Sequence, residues 1–402
     1  LYPNDNKRYI FPQEISNEDR EYGHLRQWGS ESMRDDPNVP GRSMFYPIYI
    51  KDVFKDNWIA PIGPHLTMFE DIVKKYTNSK YAVAVTSCTA GIHLALRALR
   101  VKEGDYVLCS SLTFVATVNP ILYCGAEPIF VDSEEGSWNM DPILLEEAIL
   151  NSTALGKKPK AIIPVHIFGV PCNMDAIKKL SDEYDIPIIE DAAESLGSTF
   201  NDKHTGTFGS IGVYSFNGNK LLSTSGGGVV VTNNKEHAEY MKHLSTQAKE
   251  NRPYYYHTDI GYNYIMSNVL AAIGVAQMEV IEERIKRTRE VNKIYQKEVG
   301  KFFYSFQEER SGDRSNMWLT CALMNGEDKP EDLIEHLSKD NIEARRIWKP
   351  MHEQPVMQGY KKYINGNSSL IFLQGICLPS GSDLTKADMK RIIKSIKTFF
   401  NK

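Results

Sequence analysis

From about residue 65 the chain alternates short, apolar, β-rich runs with helical stretches. "YAVAV" is followed by "TAGIHLALRALR", "YVLCS" by "FVATVNPILYC", "PIFVD" by "PILLEEAIL" and "AIIPV" by "NMDAIKKLSDEY", with "PIIED" further on. Runs apolar on both faces belong to strands covered on both sides, and an intervening helix supplies the crossover that parallel neighbours require. The pattern predicts an α/β fold with a mostly parallel central sheet flanked by helices. Two more strand-like runs, "GVYSF" and "GGVVVT", bracket "NGNKLLSTSG", so Lys220 falls in a loop between β elements. Strand ends are where open α/β sheets place their ligands.

The rest of the chain divides around this unit. Residues 1–44 are rich in Asn, Asp, Arg and Pro without sustained periodicity and are expected to form an N-terminal arm. Residues 45–265 are expected to form the large domain. A helical pattern from about Val269 to Val299 predicts a long connecting helix over 266–299. Residues 300–402, with "WLTCALM", "IEARRIW" and "GICLPSG" as strand-like runs and "KADMKRIIKSIKTFF" as an amphipathic helix, predict a smaller C-terminal α+β domain.

Composition removes several function classes. Lys+Arg 47 against Asp+Glu 51 gives a net charge of −4 without a basic run, so no nucleic-acid partner is expected. No apolar segment approaches the roughly 18–20 residues of a membrane span, and "LYPNDNKRYIFPQE" lacks the form of a signal peptide; a cytoplasmic protein is expected. The six cysteines form no C-x-x-C and the ten histidines no H-x-x-x-H, so the thiols read as reduced core residues and no metal site is expected.

Three short segments could carry chemistry. "TSCTAG", Thr86 to Gly91, lies between a strand and a helix, where hydroxyls and helix-start N–H groups suit a phosphate; an ordinary capped helix has the same residues. "IPIIEDAAESLG" puts Glu190 and Asp191 at a buried strand end, where a carboxylate needs a partner, although Asp is also a common N-cap. Lys220 reads either as a solvated surface charge or as a functional amine. Lys220, the helix start, an acid and the aromatic Phe114 after "SLT" together fit pyridoxal 5′-phosphate (PLP), which needs a lysine for its aldehyde, an acid for its ring nitrogen, donors for its phosphate and a flat partner for its ring.

"TSCTAGIHLALRAL", "SLTFVATVNPI", "IIEDAAESLGSTF", "HTGTFGSIGVYSFNGNK", "TSGGG" and "GYNY", in that order, resemble the fold-type I PLP sugar aminotransferases of the DegT/DnrJ family. Within that family the likeness is to the enzymes that aminate C4 of a UDP-linked 4-keto-6-deoxy-N-acetylhexosamine in bacillosamine synthesis. It runs from about residue 50 to 400. The resemblance implies that Lys220 is the Schiff-base lysine and Asp191 the acid on the pyridine nitrogen. It implies further that Phe114 stacks on the ring, Cys88, Thr89 and Ser215 cradle the phosphate, and Glu194 lies near the phenolic oxygen. Asn263 would reach the phosphate from a neighbouring subunit, which implies a homodimer with shared sites. His352 of "WKPMH" would face substrate. Nucleotide sugar and glutamate are the implied substrates.

The chain departs from that pattern at Ile265 and Met317, which stand where relatives have arginines; Arg346 in "EARRIW" is the expected replacement cation for the nucleotide diphosphate. Other readings are an aminotransferase for a GDP- or dTDP-linked keto sugar, a PLP-dependent sugar dehydratase, against which Lys220 argues because histidine replaces the lysine there, and an inactive PLP-binding regulator.

Overall fold

A sheet of the expected kind organises the larger lobe. The computed structural model describes residues 46–401 except 327, so the expected arm over 1–44 lies outside the described residues. In chain order the strands are β1 (Tyr81–Val85), β2 (Tyr106–Ser110), β3 (Glu127–Val131), β4 (Ala161–Ile163), β5 (Ile189–Asp191), a short hairpin of β6 (Thr199–Phe200) and β7 (Lys203–His204), β8 (Ile211–Ser215) and β9 (Gly228–Thr232). β2 lies between β3 and β4 and parallel to both. Parallel bridges Ile162–Ile188 and Val165–Asp191 connect β4 to β5, which runs parallel to β8. β9 is antiparallel to both its neighbours, β8 and β1. Every residue of β2, β8 and β9 is buried, as both-face coverage requires.

The packing also fixes the loop that follows β8. Phe216, just past that strand, meets Phe69 of the helix Pro64–Thr77 edge to face at 4.9 Å, and both are fully buried. Each such ring stabilises by about 1.5–3 kcal/mol relative to exposure, which anchors the start of the lysine loop.

The smaller lobe contains β10 (Phe303–Phe306), β11 (Thr320–Met324), β12 (Arg345–Arg346) and β14 (Gly375–Leu378), in the antiparallel order β10-β11-β14-β12. The helices Pro330–Lys339 and Lys386–Phe400 pack on it through Leu333, Leu337, Ile392, Ile396 and Phe399.

Two features differ from the expectation. The helical stretch 266–299 is two helices, Asn268–Met278 and Ile281–Val299, with the break at Val280 (φ −114°, ψ 12°). The first is apolar nearly all round and buried in the large lobe, whereas the second is amphipathic and charged, so the break falls where the burial requirement changes. The second difference is β13 (Lys361–Tyr363), which lies in the sequence assigned to the small domain but pairs in parallel with β3 at the edge of the large sheet. Asp132, just past β3, holds that return by accepting the N–H groups of Asn365, Gly366 and Ser368 at 3.1, 2.8 and 3.0 Å. No helix among the described residues is long and apolar enough to cross a membrane.

Candidate active site

The loop between β8 and β9 is closed at its neck by Phe216 N–H to Gly227 O (2.9 Å) and Thr224 N–H to Phe216 O (2.9 Å), and it presents Lys220 inward. The lysine side chain is only 12% exposed, which removes the surface-charge reading. Its Nζ donates to Glu194 Oε1 at 3.1 Å and lies 4.0 Å from the centre of the Trp318 ring. Glu194 also accepts the Phe168 N–H on its other oxygen at 2.6 Å. Burial raises the Glu194 carboxyl above the usual range, while Lys220 and the Phe168 N–H work against that shift.

Asp191 ends β5 nearby. Its Oδ2 accepts from Thr117 Oγ1 at 2.7 Å, and Thr117 in turn pairs with Thr113 Oγ1 at 2.6 Å; Oδ1 accepts the Ala193 N–H at 3.1 Å and faces Cys88 Sγ at 3.8 Å. Burial pushes the Cys88 thiol well up, and the Asp191 carboxylate beside it adds to that while Lys220 works against it.

Cys88 opens the helix Cys88–Ala98, whose N-cap Ser87 accepts the Ala90 N–H at 3.1 Å. The first turn of a helix carries N–H groups without intrahelical acceptors, and Cys88 and Thr89 contribute two of them. Gly228, at the start of β9, runs directly beneath this turn, where a Cβ would meet Cys88 N at 2.7 Å; only glycine allows the approach. Ser215 pairs in register with Gly228, which brings the third expected cradle residue to the same end of the sheet. Ser215 Oγ accepts the Asn217 N–H at 3.3 Å.

Phe114 leaves half its surface open (53%) and is backed by Trp348 at 5.5 Å, which also meets Phe168 at 5.2 Å. His352 hydrogen-bonds through Nδ1 to Ser111 Oγ at 2.6 Å, three residues before Phe114, and burial holds its imidazole below the usual range. Met351, one residue earlier, donates its backbone N–H to the Ser111 carbonyl at 2.8 Å and holds the segment there. The residues present fit PLP: a sheltered amine, a buried acid with a fixed orientation, helix-start donors beneath a glycine floor, and an open aromatic face occupy one end of one sheet.

The model of the DegT/DnrJ/EryC1/StrS aminotransferase family matches residues 48–397. The chain belongs to this aminotransferase family. Among the similar proteins, the putative pyridoxal phosphate-dependent aminotransferase EpsN of Bacillus subtilis is 44% identical over 91% of this chain and 95% of its own length. GDP-perosamine synthase of Escherichia coli O157:H7 is 36% identical over 88% and 95%. The crystal structure of a DegT DnrJ EryC1 StrS aminotransferase from Brucella abortus superimposes with a TM-score of 0.84 at 27% identity, covering 89% of this chain and 95% of that one. This family member is a PLP-dependent sugar aminotransferase of fold-type I.

Two expected site residues of this aminotransferase, Asn263 and Arg346, lie apart from the lysine cluster. Asn263 is exposed and bridges Thr246 through its backbone, without a side-chain tie to the cluster. Arg346 is committed within the small lobe: its guanidinium pairs with Glu331, donates to the Phe372 carbonyl and lies 4.7 Å from the Phe372 ring centre. Met317 lines a cavity of about 580 Å³ together with Arg289 and Gln307, and Ile265 packs against the core beside β1. The sequence reading missed Thr117, Trp318, Asn316 and Trp348. The hydroxyl that ends "FVAT" is the available signal for Thr117; the others sit in segments whose pattern reads as ordinary loop or strand edge.

Proposed function

We propose that this aminotransferase moves the amino group of glutamate to the C4 keto carbon of a nucleotide-linked 4-keto-6-deoxy sugar in the cytoplasm, with a UDP-linked N-acetylhexosamine as the nucleotide sugar. The observation that carries the reading is the Lys220 amine, sheltered and set against Glu194, at the same end of the sheet as Asp191, whose carboxylate faces Cys88. When bound, PLP supplies an aldehyde for amines and a ring that takes up electron density from the bond broken next to the nitrogen.

The chain's residues divide the remaining work. Lys220 anchors the cofactor aldehyde and carries a proton between carbons once it is released. Asp191, oriented by Thr117 and the Ala193 N–H, favours a protonated pyridine nitrogen by its negative charge. Thr89, Cys88 and Ser215 hold the phosphate at the positive end of a helix dipole. Phe114 fixes the plane of the ring, and Glu194 orients its phenolic edge. His352 borders the substrate side next to Ser111. A second copy of the chain would bring Asn263 to the phosphate; the exposure of Asn263, and of Phe54, Trp58, Ile59 and Ile62 before the first strand, supports such a homodimer.

A GDP-linked sugar is the second reading, favoured by relatives named GDP-perosamine synthase at 36% and 33% identity. The deciding experiment incubates the protein with glutamate and UDP-, GDP- or dTDP-linked 4-keto-6-deoxy sugars and follows product mass. Amination of the UDP sugar alone supports the first reading, amination of the GDP sugar alone the second, and amination of none overturns the sugar assignment.

A further inference from the structure

Trp318 meets the lysine loop at two points, Lys220 and Asn219. The centre of its ring lies 4.0 Å from the Lys220 Nζ, which also donates to Glu194 at 3.1 Å, while its Nε1–H donates to the carbonyl of Asn219 at 2.9 Å, fixing the backbone one residue before the lysine. Trp318 is itself 5% exposed and is placed by Asn316, whose Oδ1 accepts the Trp318 N–H at 2.9 Å. Asn316 Nδ2 donates to the Glu194 carbonyl at 2.8 Å and to Leu196 O at 3.0 Å, and between the two residues Met317 takes a left-handed backbone (φ +50°). A non-glycine residue in that region is uncommon and persists where its surroundings hold it. Here the turn sends the Asn316 side chain to the segment carrying the carboxylate and the Trp318 side chain to the amine.

We propose that Trp318 is a positioning residue for Lys220: its indole face and the Glu194 carboxylate hold the free ammonium between them, at the stage of the cycle when the lysine is not bonded to the cofactor. The proposal rests on the reading of Lys220 as the cofactor-bearing lysine. An amine released from the cofactor must return to the same carbon, and four rotatable side-chain bonds would otherwise let it wander. An aromatic face attracts a cation without offering a proton acceptor, so it holds the ammonium in place and leaves the hydrogen bond to Glu194 at 3.1 Å undisturbed. Because Trp318 stands two residues before β11, the small lobe supplies this support to a lysine borne by the large one.

The test uses the full chain loaded with pyridoxamine 5′-phosphate, a form in which Lys220 is free. Competitive trace acetylation across about pH 7 to 11, followed by peptide mapping, gives the titration midpoint of each lysine. Trp318→Leu should lower the Lys220 midpoint by about 0.5 to 1 pH unit, the equivalent of a partly sheltered cation–π contact, while Lys242 and other distant lysines stay put. Trp318→Phe, which keeps the ring face and loses the Asn219 bond, should restore the wild-type midpoint within about 0.2 unit. If the leucine variant does not fold, biosynthetic incorporation of fluorinated tryptophan, which drains the ring face and keeps its shape, should lower the midpoint in the same direction. An unchanged Lys220 midpoint in the leucine or fluorinated protein overturns the proposal. Borohydride reduction of the PLP-loaded protein separates the premise: a pyridoxyl label on another lysine overturns the anchor reading, whereas a label on Lys220 with an unmoved midpoint overturns only the role of Trp318.

Discussion

Glu190 and Asp191 are consecutive residues of β5, and the strand sends their carboxylates to opposite faces of the sheet. Asp191 faces Cys88 and Thr117. Glu190, fully buried, accepts from His166 Nε2 at 3.0 Å and from the N–H groups of Gly206, Phe208 and Gly209 at 2.7, 2.6 and 2.6 Å. His166 Nδ1 accepts the Cys172 N–H at 3.0 Å, so the ring is neutral and donates its single proton to Glu190.

The two acids should therefore fail differently. Glu190→Gln turns an amide towards four donors and is expected to lose about 2–4 kcal/mol of stability, read as a lower urea midpoint. Asp191→Asn keeps its shape and both oxygen-facing contacts can persist in part; it should melt near wild type and transaminate roughly a hundredfold more slowly. Equal stability losses in both variants would count against the division.

Lys220→Ala is expected to retain cofactor through the helix-start cradle and Phe114 while multiple turnover disappears. Equilibrium dialysis of PLP and product mass after extended incubation with glutamate and keto sugar check the two halves. Sustained turnover by the variant would remove Lys220 from the proposed role.

Asp313 predicts a pH dependence. Its side chain is 1% exposed with no hydrogen bond to Oδ2, and burial, only partly offset by the Arg310 guanidinium 3.9 Å from that oxygen, raises its carboxyl to about 6. Below about pH 4 the group is protonated in folded and unfolded chains alike, and between there and about 6 only the unfolded chain ionises, so stability is lost as pH rises. Asp313→Asn should match wild type near pH 4, gain on it up to about pH 6 and hold a constant advantage above. Melting temperatures across that range decide; an advantage that shrinks with rising pH would contradict the assignment.

Arg346→Ala should leave the apparent KM for the nucleotide sugar unchanged and lower stability by about 1–2 kcal/mol, because its contacts are Glu331, the Phe372 carbonyl and the Phe372 ring. A raised KM with an unchanged urea midpoint would return the arginine to the substrate.

The sequence made the large sheet and the Lys220 loop legible because strands buried on both faces must be apolar throughout and must alternate with helices. It left β13 hidden, since "KKY" has no apolar run and is a strand only through its edge pairing with β3. The break at Val280 carries neither proline nor glycine and follows from tertiary burial. Arg346 looked available because a sequence does not display Glu331 and Phe372 beside it. Trp318 looked like the start of a strand, and only the left-handed turn at Met317 directs it to the lysine.

The departure of β13 from the small lobe also limits how the two lobes can move. The polypeptide leaves the large lobe through the helix Ile281–Val299, comes back to lie along β3, and goes out again to β14. A lobe tethered by a single strand of chain can swing like a door, but one sewn on by repeated passes can only rock about the seam. Movements of one lobe against the other should accordingly be small in angle, and cutting the chain between β12 and β13 should loosen the small lobe and strip an edge from the large sheet in the same stroke.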